Sequence, residues 1–143
     1  GPGFKSPRAH IFLSVVLMDL LETRKELDLQ LSKPYIKMVN SVYGFRFVKI
    51  IIGHGNKEYW VYMGPRSDYL IIPRTFCSCK DFIIRVIALK QTHFCKHLMG
   101  VEMAIRMKKF RVIEMKIEDL MKIIDEIMKS GFSTTLRRKM YIS

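Results

Sequence analysis

Hydrophobic positions along the chain change their period twice. From about His10 to Leu31, the residues Leu13, Val16, Leu17, Leu20, Leu27 and Leu31 recur at three- and four-residue steps, with Glu22, Arg24, Lys25 and Glu26 between them. That spacing predicts an amphipathic helix. Ser32-Lys33-Pro34 then restarts the chain, since Ser is a good N-cap and Pro tolerates the first helical turn. A short second helix is expected to run to about Tyr43 and to stop at Gly44, which can take the left-handed conformation past the helix end. The middle of the chain is different. Phe45 to Ile52 and Tyr59 to Met63 are rich in aromatic and β-branched residues, and Gly53-His54-Gly55-Asn56 between them reads as a hairpin turn. Tyr69 to Ile72 follows another turn. Phe82 to Leu89, with one outward charge at Arg85, reads as a further strand, giving three or four strands in a meander. Helical spacing returns at the end. Leu98, Val101, Met103, Ala104, Ile105 and Met107 predict a largely buried helix with a basic C-terminal end. Ile117, Leu120, Met121, Ile124, Ile127 and Met128 predict an amphipathic one, with Glu118 and Asp119 in its first turn and Gly131 after its end. Residues 132–143, with Arg137-Arg138-Lys139, read as a frayed basic tail. The expected fold class is α+β: N-terminal helices, an antiparallel β-meander and C-terminal helices, in one domain over residues 4–131. Gly1-Pro2-Gly3 lacks an initiator Met and reads as a scar of protease cleavage.

Composition narrows the class. A chain of 143 residues, 49% hydrophobic and 27% charged, is ordinary globular material. At this size a domain buries roughly 68–70% of the surface its unfolded chain exposes, enough to fold without disulfides. Three cysteines cannot form a fully paired disulfide framework and suit a reducing, intracellular setting: cytoplasmic, and nucleoid-associated in a prokaryote. The longest apolar run, Ile11 to Leu21, is interrupted by Asp19 and is too short to span a bilayer, and no small-residue cleavage site follows it. No membrane partner is expected. Lys and Arg number 25 against 13 Asp and Glu, a formal charge of +12 that points to an anionic partner. Asn and Gln total only four, which leans towards a thermophilic source, although ten methionines point the other way.

The chemistry is concentrated in twenty-one residues, Cys77 to His97. Cys77-Ser78-Cys79, then fifteen residues, then Cys95-Lys96-His97 supply four tetrahedral ligands of the types zinc prefers. Cys77 and Cys79 follow a strand, and residues two apart in extended chain point to one face. Two apart on a regular helix is about 200° around the axis, so Cys95 and His97 can converge only if Cys95 sits at or before the helix N-cap. A helix start at about Cys95 is therefore expected, with the thiolate favoured by the positive end of the dipole. A rival set uses His93 in place of Cys95, four residues before His97, and would waste a thiol. Four protein ligands leave no open position for an activated water, so one structural Zn²⁺ is expected. Three thiolates around it leave a net −1, which Lys80 and Lys96 are placed to offset.

The phrases Cys77-Ser78-Cys79-Lys80-Asp81-Phe82 and Cys95-Lys96-His97-Leu98-Met99 resemble the SWIM zinc-finger domain, over about Tyr43 to Met107. The resemblance implies zinc ligands at Cys77, Cys79, Cys95 and His97. A small SWIM protein resembles the subfamily that partners RecA-like recombinase paralogues in Shu-type recombination-mediator complexes. That subfamily carries an alanine three residues after the histidine, where this chain has Gly100. The implied function is a non-catalytic adaptor in homologous recombination or DNA repair, binding a RecA-like paralogue and also DNA. The alternative is a sequence-nonspecific nucleic-acid-binding protein with no dedicated protein partner.

Two sets of residues could carry those contacts. Lys80, Arg85, Lys90, Lys96, Arg106, Lys108, Lys109 and Arg111 surround the zinc motif, with only Asp81 and Glu102 as acids, a bias that suits phosphate neutralisation without base reading. Exposed aromatics such as Tyr59, Tyr62 or Phe94 would stack on single-stranded bases, while Trp60 is assigned to the core. The bland reading is that these basic residues solvate a surface and favour a helix C-terminus. In the first helix, Phe12, Val15 and Met18 lie off the main apolar face and mark a candidate partner surface. No catalytic constellation stands out. There is no carboxylate pair at a cleft motif, the Cys–His cluster is taken by metal, and Gly53-His54-Gly55 lacks the Lys-Ser/Thr of a phosphate loop.

Overall fold

The structure, a computed structural model, describes residues 33–53 and 57–142. The helix expected over 10–31, its surface residues Phe12, Val15 and Met18, and most of the first hairpin turn lie outside the described residues. Helix α1 (Lys33–Tyr43) leads into strands β1 (Phe47–Ile52), β2 (Glu58–Met63), β3 (Asp68–Ile72) and the two-residue β4 (Phe76–Cys77). After a π-helical segment at Phe82–Ala88 come α2 (Lys96–Met107), β5 (Arg111–Met115), α3 (Ile117–Ser130) and α4 (Thr134–Ile142). The strand order is β4-β3-β2-β1-β5. The first four strands form the expected antiparallel meander, and β5 adds to its far edge in parallel with β1, Val48 opposite Arg111 and Ile52 opposite Met115. The fold is α+β, with a mixed five-stranded sheet.

Side-chain alternation along the strands explains why their sequences look continuously apolar. Phe47, Trp60, Tyr62 and Ile71 face one side of the sheet, where they pack with Met38 and Val42 of α1 and Leu98, Val101 and Ala104 of α2. Val48, Ile50, Val61, Met63 and Leu70 face the other side, under Leu120, Ile123 and Ile127 of α3 and Leu136 of α4. A sheet covered on both faces has no solvent side to supply the polar half of the period. Trp60 is buried, as expected.

Several expectations are corrected. The strand predicted over Phe82–Leu89 is a π-helical segment, with the Leu89 N–H donating to the Ile84 carbonyl at 2.8 Å. Fifteen extended residues would carry the chain roughly 50 Å, whereas Cys79 and Cys95 meet at one point, so the segment between them must coil. The α1 stop uses Phe45 (φ 55°), not Gly44, as its left-handed residue. The basic end expected for the third helix is cut short: Lys108 (φ 56°) ends α2 and Arg111 opens β5. On α3 the buried stripe is Leu120, Ile123 and Ile127, while Ile117, Met121 and Met128 of the predicted stripe are exposed.

The basic tail is a packed helix, α4, anchored by a charge inside the fold. Asp68 is fully buried and accepts from Arg137 at 2.6 Å and 3.3 Å and from the Ser133 N–H at 2.9 Å. Arg137 also donates to the Gly64 carbonyl at 2.6 Å. Glu126 of α3 closes the α3–α4 turn by accepting from Ser133, Thr134 and Thr135.

Candidate metal centre

Cys77, Cys79, Cys95 and His97 are all buried, and their donor atoms lie within 4.8 Å of one another. Each is placed by a different local device. Cys77 is the last residue of β4, paired opposite Ile71 of β3. Ser78 fastens the intervening residue to β3 in both directions: its N–H donates to the Leu70 carbonyl at 3.0 Å, and its hydroxyl accepts the Leu70 N–H at 2.9 Å. Cys79 therefore leaves the sheet edge at a fixed point, where its sulfur accepts the Phe82 N–H at 3.3 Å. Cys95, in extended backbone, is the N-cap residue of α2, and His97 lies in the first turn. This is the arrangement that lets two ligands two residues apart converge at a helix start. The His97 Nδ1 stands 3.8 Å from the Cys77 sulfur. Its ring packs against both Tyr62 and Tyr69, with centroids 4.8 Å and 4.6 Å away.

The donor set fits one metal ion. Donor atoms on the corners of a tetrahedron with ~2.3 Å metal–sulfur bonds stand about 3.8 Å apart, close to the spread of this cluster. The acid–base chemistry also asks for a cation. Hydrogen bonding with Cys79, then with Cys95, pushes the Cys77 thiol far above its ordinary value, and burial adds to the rise. Hydrogen bonds from Cys77 and Cys95 draw Cys79 far below its ordinary value despite burial. Cys95 is lowered by its hydrogen bond with Cys77, but Cys79 and burial outweigh this and push it up to about 12. Three thiols this close cannot all ionise unless a cation offsets their charge; a divalent ion is what would hold three thiolates together. All three cysteines are free of disulfides. His93, the rival ligand, is exposed and stands outside the cluster.

Gly100 follows from the same geometry. A Cβ there would lie 2.6 Å from Phe47 Cζ and 2.9 Å from Met38 Sδ, so α2 lies closer to α1 and β1 than an alanine allows.

The predicted basic residues distribute over two regions. Lys80, Arg85 and Lys90 are exposed on the loop between the two ligand pairs, with Arg85 paired to Asp81 at 2.6 Å and 3.0 Å, and Lys96 is half-buried where that loop enters α2. Arg106 is exposed near the end of α2. Lys108 and Lys109 belong to the α2–β5 connection and Arg111 opens β5, beside Tyr43 and Phe45: Lys109 sits 5.0 Å from the Tyr43 ring, and Arg111 donates to the Phe45 carbonyl at 3.1 Å. Of the aromatics expected to be exposed, Tyr62 is buried, its hydroxyl 2.9 Å from that of Ser41, and Tyr59 and Phe94 are half-buried. Sequence reading missed an apolar strip on the ligand loop, where Ile83, Ile84, Ile87 and Leu89 are all exposed.

Comparison with protein-family models, characterised proteins and solved structures finds no match to the chain. Among the described residues, no helix is long and apolar enough to cross a membrane.

Proposed function

We propose that the chain is a non-catalytic, zinc-clamped adaptor that serves homologous recombination or DNA repair by binding a RecA-like recombinase paralogue. The zinc assignment rests on the Cys₃His donor set, and the family assignment on the SWIM-like phrases around it. The observation that carries the adaptor role is the loop between the ligand pairs. It leaves at Cys79, returns at Cys95, and exposes Ile83, Ile84, Ile87 and Leu89 in between. A metal joining those two ends would hold an apolar strip in a fixed shape that its own few internal contacts could not maintain. Four protein ligands leave no open position, which favours a structural metal over a reactive one. π-helical segments also occur frequently at functional sites.

The test has two parts. Native mass spectrometry should find one zinc per chain. A pull-down with the full chain should capture a RecA-like ATPase that stays bound after nuclease, and Ile84→Asp/Ile87→Asp should release it while keeping the zinc. If every partner disappears with nuclease, the adaptor reading is overturned in favour of a nucleic-acid binder without a dedicated partner.

A further inference from the structure

A second surface lies on α1 and its exit turn. No acidic residue occurs between Lys33 and Lys57, a stretch that carries Lys33, Lys37, Arg46, Lys49 and Lys57. Lys33 and Lys37 are one helical turn apart on α1 and line an open groove of about 540 Å³ together with Asn40 and Arg46. Ser41 and the Tyr62 hydroxyl, bonded to each other at 2.9 Å, also line it. Arg46 is held in place by its hydrogen bond to the Met63 carbonyl at 3.0 Å. Gly44 lines the groove too, and its neighbours on either side carry exposed rings: Tyr43 is 56% exposed and Phe45 40%. Lys109 lies 5.0 Å from one ring centroid and 5.8 Å from the other, so the ring pair carries its own positive charge.

We infer that this groove and ring pair form a binding track for single-stranded nucleic acid, read without sequence preference. The reasons are chemical. A lysine pair and a fixed arginine in an acid-free groove neutralise phosphates. Two exposed aromatic rings on either side of Gly44, which lines the groove, offer faces on which unpaired bases stack, which a duplex, with its base faces already covered, cannot use. The backbone supports the presentation: Phe45 holds a left-handed conformation (φ 55°), sparsely populated by bulky residues, and its carbonyl is tied to Arg111 at 3.1 Å. The track lies outside the Cys–His motif and stands independently of the adaptor reading.

The test is fluorescence anisotropy of the full, metal-loaded chain with a labelled oligothymidylate over a salt series, with an unlabelled random duplex and an oligouridylate as competitors. Wild type should bind the single strand in preference to the duplex, with log affinity falling linearly in log salt. Lys33→Ala/Lys37→Ala should weaken binding and flatten that slope by about 1.4, two phosphates at ~0.7 each. Tyr43→Ala should weaken binding about 5- to 100-fold with the slope unchanged, and Tyr43→Phe should restore it. Lys90→Ala, on the ligand loop, should bind as wild type. The inference is overturned if the duplex competes as well as the single strand, if the α1 and Tyr43 variants bind as wild type, or if Lys90→Ala is the variant that loses binding. A lost ATPase partner with this pattern intact would remove the adaptor reading alone.

Discussion

The two faces of the sheet are fastened in different ways. On the α1–α2 face, four metal-type donors from two short stretches of chain are gathered at one point, with Tyr62 and Tyr69 against the histidine ring. On the α3–α4 face the charge is a fully buried aspartate, Asp68, held by the half-buried Arg137 69 residues away and by the Ser133 N–H. A metal satisfies its ligands by coordination and tolerates a loop beside it. A buried carboxylate has no such partner and relies on an opposite charge and additional hydrogen bonds to offset its desolvation. The ligand face carries an exposed, irregular segment beside α1 and α2, while the opposite face is closed by α3 and α4.

The comparison is broken most directly at the metal. His97→Ala, or chelation of the wild type, should lower Tm by roughly 10–20 °C. Hydrogen exchange should speed up over residues 78–100 and stay slow in α3. Equal loss across both faces would mean that the two are not separately fastened. Next comes the ion pair. Arg137→Met leaves Asp68 charged and buried and should cost about 3–5 kcal/mol in denaturant unfolding, with metal content unchanged. Adding Asp68→Asn should recover part of it, and no recovery would show that the pair acts only through the bulk of Arg137. Gly100→Ala, a smaller change, presses on Phe47 and Met38 and should cost about 1–3 kcal/mol. Combined with Phe47→Leu, the loss should be less than additive; strict additivity would place the strain elsewhere.

The smallest effect is electrostatic. Burial raises the Glu126 pKa, but hydrogen bonds from Ser133 and Thr135 outweigh it and hold the carboxyl below its ordinary value. A carboxyl lowered on folding stabilises the fold above its unfolded pKa, and that contribution is lost as pH falls through the folded value. The Tm difference between wild type and Glu126→Gln should therefore narrow between roughly pH 6 and pH 3. A pH-independent difference would assign Glu126 a purely steric role.

What could be read in advance follows the same divide. The ligand set, the helix start at Cys95 and the α+β order were legible because their causes are local: spacing, side-chain chemistry and the geometry of a helix N-terminus. The π-helical segment was not, since Phe82-Ile83-Ile84 is strand-like by propensity and coils only because its two ends meet. β5 was hidden for a similar reason. Arg111–Met115 reads as the end of a basic helix until β1 offers it an edge. Nothing near Asp68 announces Arg137, so the final helix looked like a solvated tail. The exposed rings also changed places, because Tyr62 is turned inward beside His97 while Phe45 is turned out by its left-handed backbone.

The parallel placement of β5 sets an order of assembly. The four-stranded meander is built from near neighbours and can form as soon as Cys77 has been synthesised. The donor cluster is complete at His97, before any of β5 exists. Only then can Arg111 reach back 66 residues to Phe45, and Arg137 69 residues to Asp68. Contacts so far apart in sequence are slow to form. During synthesis, then, the ligand face can close while α3 and α4, the helices that pack on the opposite face, are still to be made.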